Sequence, residues 1–232
     1  MILTLHPDIR IQKLTIGAEK APLLVIDNFV ADPDRLISRA ASRPFVPGGQ
    51  YYPGVRVQAP LACQQLITEN LRDLLFDYFQ LEGRSFNFTM CHYSLVTTPP
   101  AKLVMLQRIP HIDSVNSNGL ASVHYLFRKD LGGTAFYRHR STGFEYIDAS
   151  RRERYIQALE KENSGPDGPG AEYINGDTPL FEQIAKQDGV FNRMLIYRRN
   201  SLHSGCIGKD FVPDANPATG RLSINSFIDL VP

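Results

Sequence analysis

Pro22-Leu23-Leu24-Val25-Ile26-Asp27-Asn28-Phe29 is a short, nearly continuous apolar run, and it predicts a strand. Asp32 and Pro33 come next as N-cap and first residue of a helix reaching about Arg43, because aspartate accepts a free N–H and proline has none to lose. Gly48, Gly49, Pro53 and Gly54 mark a loop that carries Tyr51, Tyr52 and Arg56. From about Pro60 to Leu81, the residues Ile67, Leu71, Leu74, Leu75 and Tyr78 recur at steps of three and four, which predicts one long amphipathic helix. At Phe86 the period changes to two. Phe86, Phe88 and Met90 alternate with polar residues, with Tyr93 further along the same strand.

Further strands are predicted at Leu103–Gln107, Leu120–Phe127 and, opened by Gly132-Gly133, Thr134–His139. A stretch of different character runs from about Thr142 to Val190. In it Asp148 or Ser150 can cap a helix to Glu162, Gly165–Gly170 forms a loop, and Thr178-Pro179 starts a helix that Gly189 ends. Strand character returns at Phe191–Tyr197, near His203, and at Arg221–Leu230. The layout is a helical part over about 1–85, then a strand-rich part over about 86–232 with a helical insertion at about 142–190. That is mainly β with flanking helices, a sandwich or barrel with helices outside, and 232 residues suit a single domain.

Composition narrows the function classes. The 43% apolar and 21% charged shares belong to a chain with a real core. Lys and Arg number 25 against 24 Asp and Glu, without long runs of either sign. That balance offers neither nucleic acid nor an anionic membrane as an expected partner. No stretch reaches the roughly 20 apolar residues of a membrane-spanning helix. The start, Met1 to Asp8, lacks a basic and an apolar region of signal type, so a cytoplasmic protein is expected. Cys63, Cys91 and Cys206 are odd in number and far apart, against a disulfide framework or a cysteine zinc site.

The candidate chemistry lies in His111-Ile112-Asp113 and His203. Side chains at i and i+2 of an extended segment share a face, so His111 and Asp113 can hold one metal. A distal His203 completes two histidines and a carboxylate, a set that leaves three adjacent positions open on Fe(II). The pair alone carries little weight. With six histidines and about a tenth of the chain acidic, chance supplies roughly 0.6 such pairs. His6-Pro7-Asp8 has the same spacing, but it lies before any strand and its proline removes a ladder donor.

The order of segments along the second half of the chain is more specific. Pro110-His111-Ile112-Asp113-Ser114 precedes Ser122-Val123-His124-Tyr125-Leu126, then Gly132-Gly133-Thr134-Ala135-Phe136, Asn192 to Tyr197, His203-Ser204-Gly205 and Gly220-Arg221-Leu222-Ser223. This series resembles the Fe(II)/2-oxoglutarate-dependent dioxygenases, in particular their prolyl-hydroxylase-like branch. Phe136-Tyr137-Arg138-His139-Arg140 and the Arg221 block are similar to an uncharacterised bacterial family placed in that fold. The resemblance covers about residues 86–232, with Ile26 to Phe45 similar to the usual first strand and helix.

It implies a double-stranded β-helix (jelly-roll) core and a hydroxylase-type oxygenase using Fe(II), with 2-oxoglutarate as cosubstrate. His111, Asp113 and His203 would ligate the metal, and no further catalytic residue is implied. Arg221 would hold the distal carboxylate of 2-oxoglutarate with help from Tyr125, and Tyr93 would line the pocket. The substrate would be a peptide or protein residue or a small metabolite. Two features depart from the family pattern. Arg221 lies 18 residues after His203, which requires Lys209 to Thr219 to loop out, and the insertion is unusual, a lid or a substrate platform.

Other readings stand beside this one. A cupin-like metalloenzyme would use the metal without 2-oxoglutarate, and a non-catalytic relative would only bind. His92 and His124 read as hydrogen-bonding partners within strands. His139, between Arg138 and Arg140, belongs to a cationic cluster for an acidic substrate or to a solvated strand end. Tyr51, Tyr52 and Arg56 either cover a site or pack as loop residues, Arg151 to Lys161 is the wet face of a helix, and Cys206 has no assigned role.

Overall fold

The structure, a computed structural model, describes residues 1–163, 165–166 and 168–231. The Gly165–Gly170 loop therefore lies partly outside the described residues. In chain order the elements are β1 (Arg10–Ile16), β2 (Ala21–Asp27), α1 (Pro33–Ala41), β3 (Val46–Pro47), β4 (Gly54–Gln58), α2 (Leu61–Phe79), β5 (Ser85–Val96) and β6 (Leu120–Tyr125). They continue with β7 (Gly133–His139), α3 (Arg152–Asn163), β8 (Phe181–Gln187), β9 (Met194–Arg198), β10 (His203–Cys206) and β11 (Leu222–Val231). An eight-stranded sheet runs β1-β2-β9-β6-β11-β5-β4-β3, and a three-stranded sheet runs β10-β7-β8. All the pairings are antiparallel.

The helices α1 and α2 form where the pattern predicts them. Asp32 caps α1 by accepting from the Arg35 N–H at 3.2 Å, with Pro33 in the first turn. Helix α2 buries Cys63, Leu66, Ile67, Leu71, Leu75 and Phe79 against the large sheet. It ends at Gln80, which takes a left-handed conformation with φ +48°. Leu74 and Tyr78 flank that buried stripe, and the Tyr78 hydroxyl donates to the Leu14 carbonyl at 2.6 Å.

One residue sets which side chains of β5 face which layer. Phe227 of β11 pairs with Met90, but Ile228 pairs with Phe88, so Thr89 is an extra, unpaired residue. Before this bulge the even positions Phe86 and Phe88 pack toward the helices, and after it the odd positions Cys91, Tyr93 and Leu95 do. Tyr93 therefore lies in the core shared with α1 and α2, not in a pocket between the sheets. The expected pocket-lining role for Tyr93 does not match this placement, because an inserted residue inverts the alternation.

Between the sheets a second apolar cluster contains Leu23, Val25, Val123, Tyr125, Phe127, Phe136, Leu195 and Tyr197. A third cluster, with Ala135, Tyr137, Tyr155, Leu159, Ile174, Phe181 and Cys206, covers the outer face of the small sheet.

Four elements differ from the sequence expectation. Leu103–Gln107 is not a strand. Single 3-10 turns at Pro100–Lys102 and Met105–Gln107 replace it, since Pro99 and Pro100 remove backbone donors and Val104 to Leu106 face solvent. The helix expected after Thr178-Pro179 is strand β8, whose Gln, Ala and Lys residues are drawn into pairing along the open edge of β7. Tyr51 and Tyr52 lie in the turn of the β3–β4 hairpin, and Arg56 lies on a strand rather than a loop. The N-terminal part is also less helical than expected, because β1 and β2 extend the large sheet. Among the described residues, no helix is long and apolar enough to cross a membrane.

His124 sits on the helix side of β6, where its Nε2 meets Asn192 Oδ1 at 3.0 Å. Asn192, at φ +61°, also accepts from Val30 N–H and donates to the Val30 carbonyl, tying the end of β2 to β9. Burial pulls the His124 imidazole down to about 4, against the raising effect of Asn192. The folded state thus holds a neutral ring where the unfolded chain binds a proton below about 6.5. Stability associated with this group should be complete above that pH and be lost as pH falls toward 4. His124→Gln should remove about 2–3 kcal/mol of the stability difference between pH 7.5 and 4.5, measured by urea unfolding of both proteins.

Candidate metal centre

His111 and His203 face each other across an isolated antiparallel bridge. Each backbone N–H donates to the other's carbonyl, at 2.9 and 3.0 Å. The Asp113 N–H donates to the Arg199 carbonyl at 2.8 Å. The His111–Asp113 segment is therefore short and extended rather than a full strand, held by the chain that enters β10. The two imidazole centroids stand 4.5 Å apart. His111 Nε2 lies 3.8 Å from one Asp113 oxygen, and His203 Nε2 lies 3.6 Å from the other. One ligand atom from each of the three side chains falls within 4.8 Å of the others, a spacing that suits a shared divalent ion.

Chemistry at each atom is consistent with ligation. The Nδ1–H of His203 donates to the Ser201 carbonyl at 2.9 Å, which fixes the tautomer and leaves the Nε2 lone pair free. Desolvation in the cleft holds His111 well below its ordinary value, with His203 and Arg56 adding to it, although half of its side-chain surface is open on one flank. The ring is therefore neutral at physiological pH, the form in which an imidazole can ligate a metal. Burial pushes the Asp113 carboxyl up, against the pull of His203, Arg199 and Arg56. No side chain among the described residues donates a well-formed hydrogen bond to that carboxylate. A cation between it and the two Nε2 atoms would supply the missing partner.

The centre is walled by the inner face of the large sheet. Across four strands the register places Arg56, Ser94, Ser223 and Tyr125 in one row, and Gln58, His92, Asn225 and Val123 in the next. Cross-strand partners share a face, so both rows look toward the small sheet. Tyr197 is on that face too, 4.7 Å from the His203 ring and 5.1 Å from Phe136. Deeper in, the Tyr125 hydroxyl bonds Thr134 Oγ1 at 2.6 Å and so bridges the sheets. Arg221, buried beside it, donates from Nε to the Leu131 carbonyl at 2.9 Å and from Nη2 to the Gly133 carbonyl at 2.8 Å. Those bonds fix the guanidinium through Nε and Nη2. Lys209–Thr219 is an irregular loop, and β11 begins immediately after Arg221.

The remaining candidates separate. His6 Nδ1 accepts from the Asp8 N–H within its own turn, away from any third ligand. His139 is fully buried and bonds Glu162 at 2.7 Å and Thr142 at 2.9 Å, while Arg138 pairs with Glu145 and Arg140 with Asp177. That cationic cluster is thus internally paired, and His139 anchors α3. Cys206 faces the outer core. The insertion places α3 and Ile174 against the outer face of the small sheet, and brings Tyr173 to the rim, where its hydroxyl donates to the Thr98 carbonyl at 2.7 Å. A cavity of about 330 Å³ lies between the insertion and Arg108-Ile109, just before His111. Nothing in the sequence marks Arg56, Ser94, His92 and Tyr197 together as site residues. Only the register, with the bulge at Thr89, brings them to this wall.

The fold is similar to that of solved proteins that hold a metal and 2-oxoglutarate. HygX from Streptomyces hygroscopicus, solved with nickel and 2-oxoglutarate bound, superposes with a TM-score of 0.52 at 10% identity, over 91% of this chain and 84% of HygX. HygX with nickel, 2-oxoglutarate and hygromycin B gives 0.50 at 9% identity, over 91% and 84%. A Pseudomonas putida prolyl-4-hydroxylase gives 0.41 at 14% identity, over 86% and 88%. No curated protein matches the sequence. Residues 7–228 match the profile of DUF6445, described as a family of unknown function, and the chain belongs to that family.

Proposed function

We propose that this protein is a single-domain, Fe(II)- and 2-oxoglutarate-dependent oxygenase of hydroxylase type, built on a double-stranded β-helix. The observation that carries the reading is the convergence of His111, Asp113 and His203 between the two sheets. The likeness to HygX supports the fold, and the bound nickel and 2-oxoglutarate of that protein indicate what such a fold can hold. His111 and His203 would contribute Nε2 and Asp113 one carboxylate oxygen. Fe(II) and 2-oxoglutarate, when bound with O₂, supply the oxidising chemistry while the cosubstrate is converted to succinate and CO₂.

The chain's own part is positioning. The Ser201 carbonyl holds the His203 tautomer, and the backbone bridge holds the His111 ring against it. Arg221 provides a fixed positive charge for the far carboxylate of the cosubstrate, and the Tyr125 hydroxyl lies beside it, shared with Thr134. Phe127, 5.4 Å from the guanidinium, and Phe136 help keep water from that end. The substrate is a small molecule or a peptide residue, with neither nucleic acid nor membrane involved. Three unpaired buried cysteines suit a reducing compartment, the cytoplasm.

Anaerobic titration with Fe(II) and then 2-oxoglutarate tests the reading: a visible charge-transfer band of the chelate is expected. A protein that binds Fe(II) but shows no band with 2-oxoglutarate would instead match the cupin-like alternative. His111→Ala or His203→Ala should lower divalent-metal affinity by about a hundredfold. His6→Ala should leave it unchanged, as measured by competition with a chromogenic chelator. Arg221→Leu should raise the 2-oxoglutarate dissociation constant about a hundredfold, the equivalent of roughly 3 kcal/mol for a lost buried charge partner. Metal affinity of that variant should stay close to wild type, and equal 2-oxoglutarate affinity in the two proteins would remove Arg221 from the site.

A further inference from the structure

The inner wall next to the metal centre is polar where a closed sandwich would be apolar, and one group in it has unspent charge. Arg56, half-buried on β4, donates from Nε to Ser94 Oγ at 3.1 Å and lies 3.9 Å over the Tyr52 ring. These two contacts hold the guanidinium by its near edge and its face. Among the described residues no carboxylate lies within ion-pair distance of it, and its Nη1 and Nη2 make no hydrogen bond. Other inward or buried arginines are ion-paired, Arg138 with Glu145, Arg193 with Asp27 and Arg199 with Asp229, while Arg221 bonds two carbonyls through Nε and Nη2.

Two neighbouring polar atoms share that condition. The Tyr52 hydroxyl is buried beside Ser94 without a well-formed hydrogen bond, and His92 Nδ1, one row along the same face, is buried without a partner. Most buried polar groups in folded proteins are paired, so two unpaired ones beside a half-buried guanidinium with free N–H groups point to a ligand that completes them.

Arg56 and Arg221 are held separately. Arg56 is on β4, fixed by Ser94 and Tyr52, whereas Arg221, two strands away at the start of β11, is fixed by the Leu131 and Gly133 carbonyls. The rim over Arg56 is narrowed by Tyr52 and by Tyr173 from the insertion, which favours a compact ligand over a polymer.

We propose that Arg56, with Tyr52 and His92, is the carboxylate-binding point for the primary substrate, and that this substrate is a small carboxylic acid. The inference rests on the oxygenase reading and deepens it. A planar guanidinium offering two N–H groups matches a carboxylate in two parallel bonds, and the Tyr52 hydroxyl can donate a third. The acid would be held by one end beside the metal, with Arg221 and Tyr125 reserved for 2-oxoglutarate.

Benzoate and its neutral counterpart benzamide are suitable probes, titrated into protein loaded with Zn(II) and 2-oxoglutarate and followed by ligand-observed NMR. Wild type should bind benzoate at least tenfold more tightly than benzamide. Arg56→Gln should abolish that preference, Arg56→Lys should restore part of it, and both variants should keep the wild-type affinity for 2-oxoglutarate. Equal binding of the two probes, no binding of benzoate to wild type, or full benzoate binding by Arg56→Gln would overturn the proposal. So would loss of 2-oxoglutarate affinity in Arg56→Gln, which would make Arg56 a cosubstrate residue. The 2-oxoglutarate titration of wild type reads the oxygenase proposal separately. If it fails while Zn(II)-loaded protein still prefers benzoate in an Arg56-dependent manner, only the oxygenase reading falls.

Discussion

The reciprocal backbone pair between His111 and His203 is the contact on which the candidate centre depends. Two N–H···O bonds at 2.9 and 3.0 Å lock a short irregular segment to the start of β10. Side chains of a directly opposed pair project to the same face, so the rings meet at 4.5 Å without further help. Asp113 is then placed by its own bond to the Arg199 carbonyl. Main-chain bonds thus bring the three residues together, and the Ser201 carbonyl orients the His203 ring. The arrangement can remain assembled before any ion arrives, so ordering entropy need not be met at the moment of binding.

The two sheets divide the remaining work. On the helix side of the large sheet, α1 and α2 cover an apolar face in which even a tyrosine such as Tyr93 is enclosed. On the other side the wall is graded. Val123, Leu195 and Phe136 fill one end, and Arg56, Ser94, His92 and Asn225 line the other. The apolar end supports the fold, while the polar end includes His92 Nδ1, which is buried without a partner. The insertion strengthens this division, because α3, tied to His139 through Glu162, backs the small sheet from outside. Tyr173 of that insertion reaches the rim near Tyr52.

Much of this is legible in the chain. The capping by Asp32-Pro33, the stripe of α2 and the strand runs at β2, β6, β7, β9 and β11 are local patterns, and local sterics and burial decide them. The three histidine and aspartate positions stand out because their order along the chain resembles a known series, and the structure brings them together. Strand β8 and the turns around Met105 are not legible in this way. Their residues carry no decisive periodicity, and what settles them is whether a sheet edge is open nearby.

The sequence by itself determined element types wherever hydrophobic spacing was strong, the mainly β class, and which residues are the candidates for ligating a metal. Only the tertiary structure decided which face each β5 side chain takes, because one unpaired residue, Thr89, reverses the alternation and sends Tyr93 to the helices and Ser94 to the site. It also decided that Arg56 stands in a row with Tyr125, through four strands drawn from separate parts of the chain. The physical reason is that periodicity is a property of neighbouring residues, whereas register and bulges are properties of a strand and its partner.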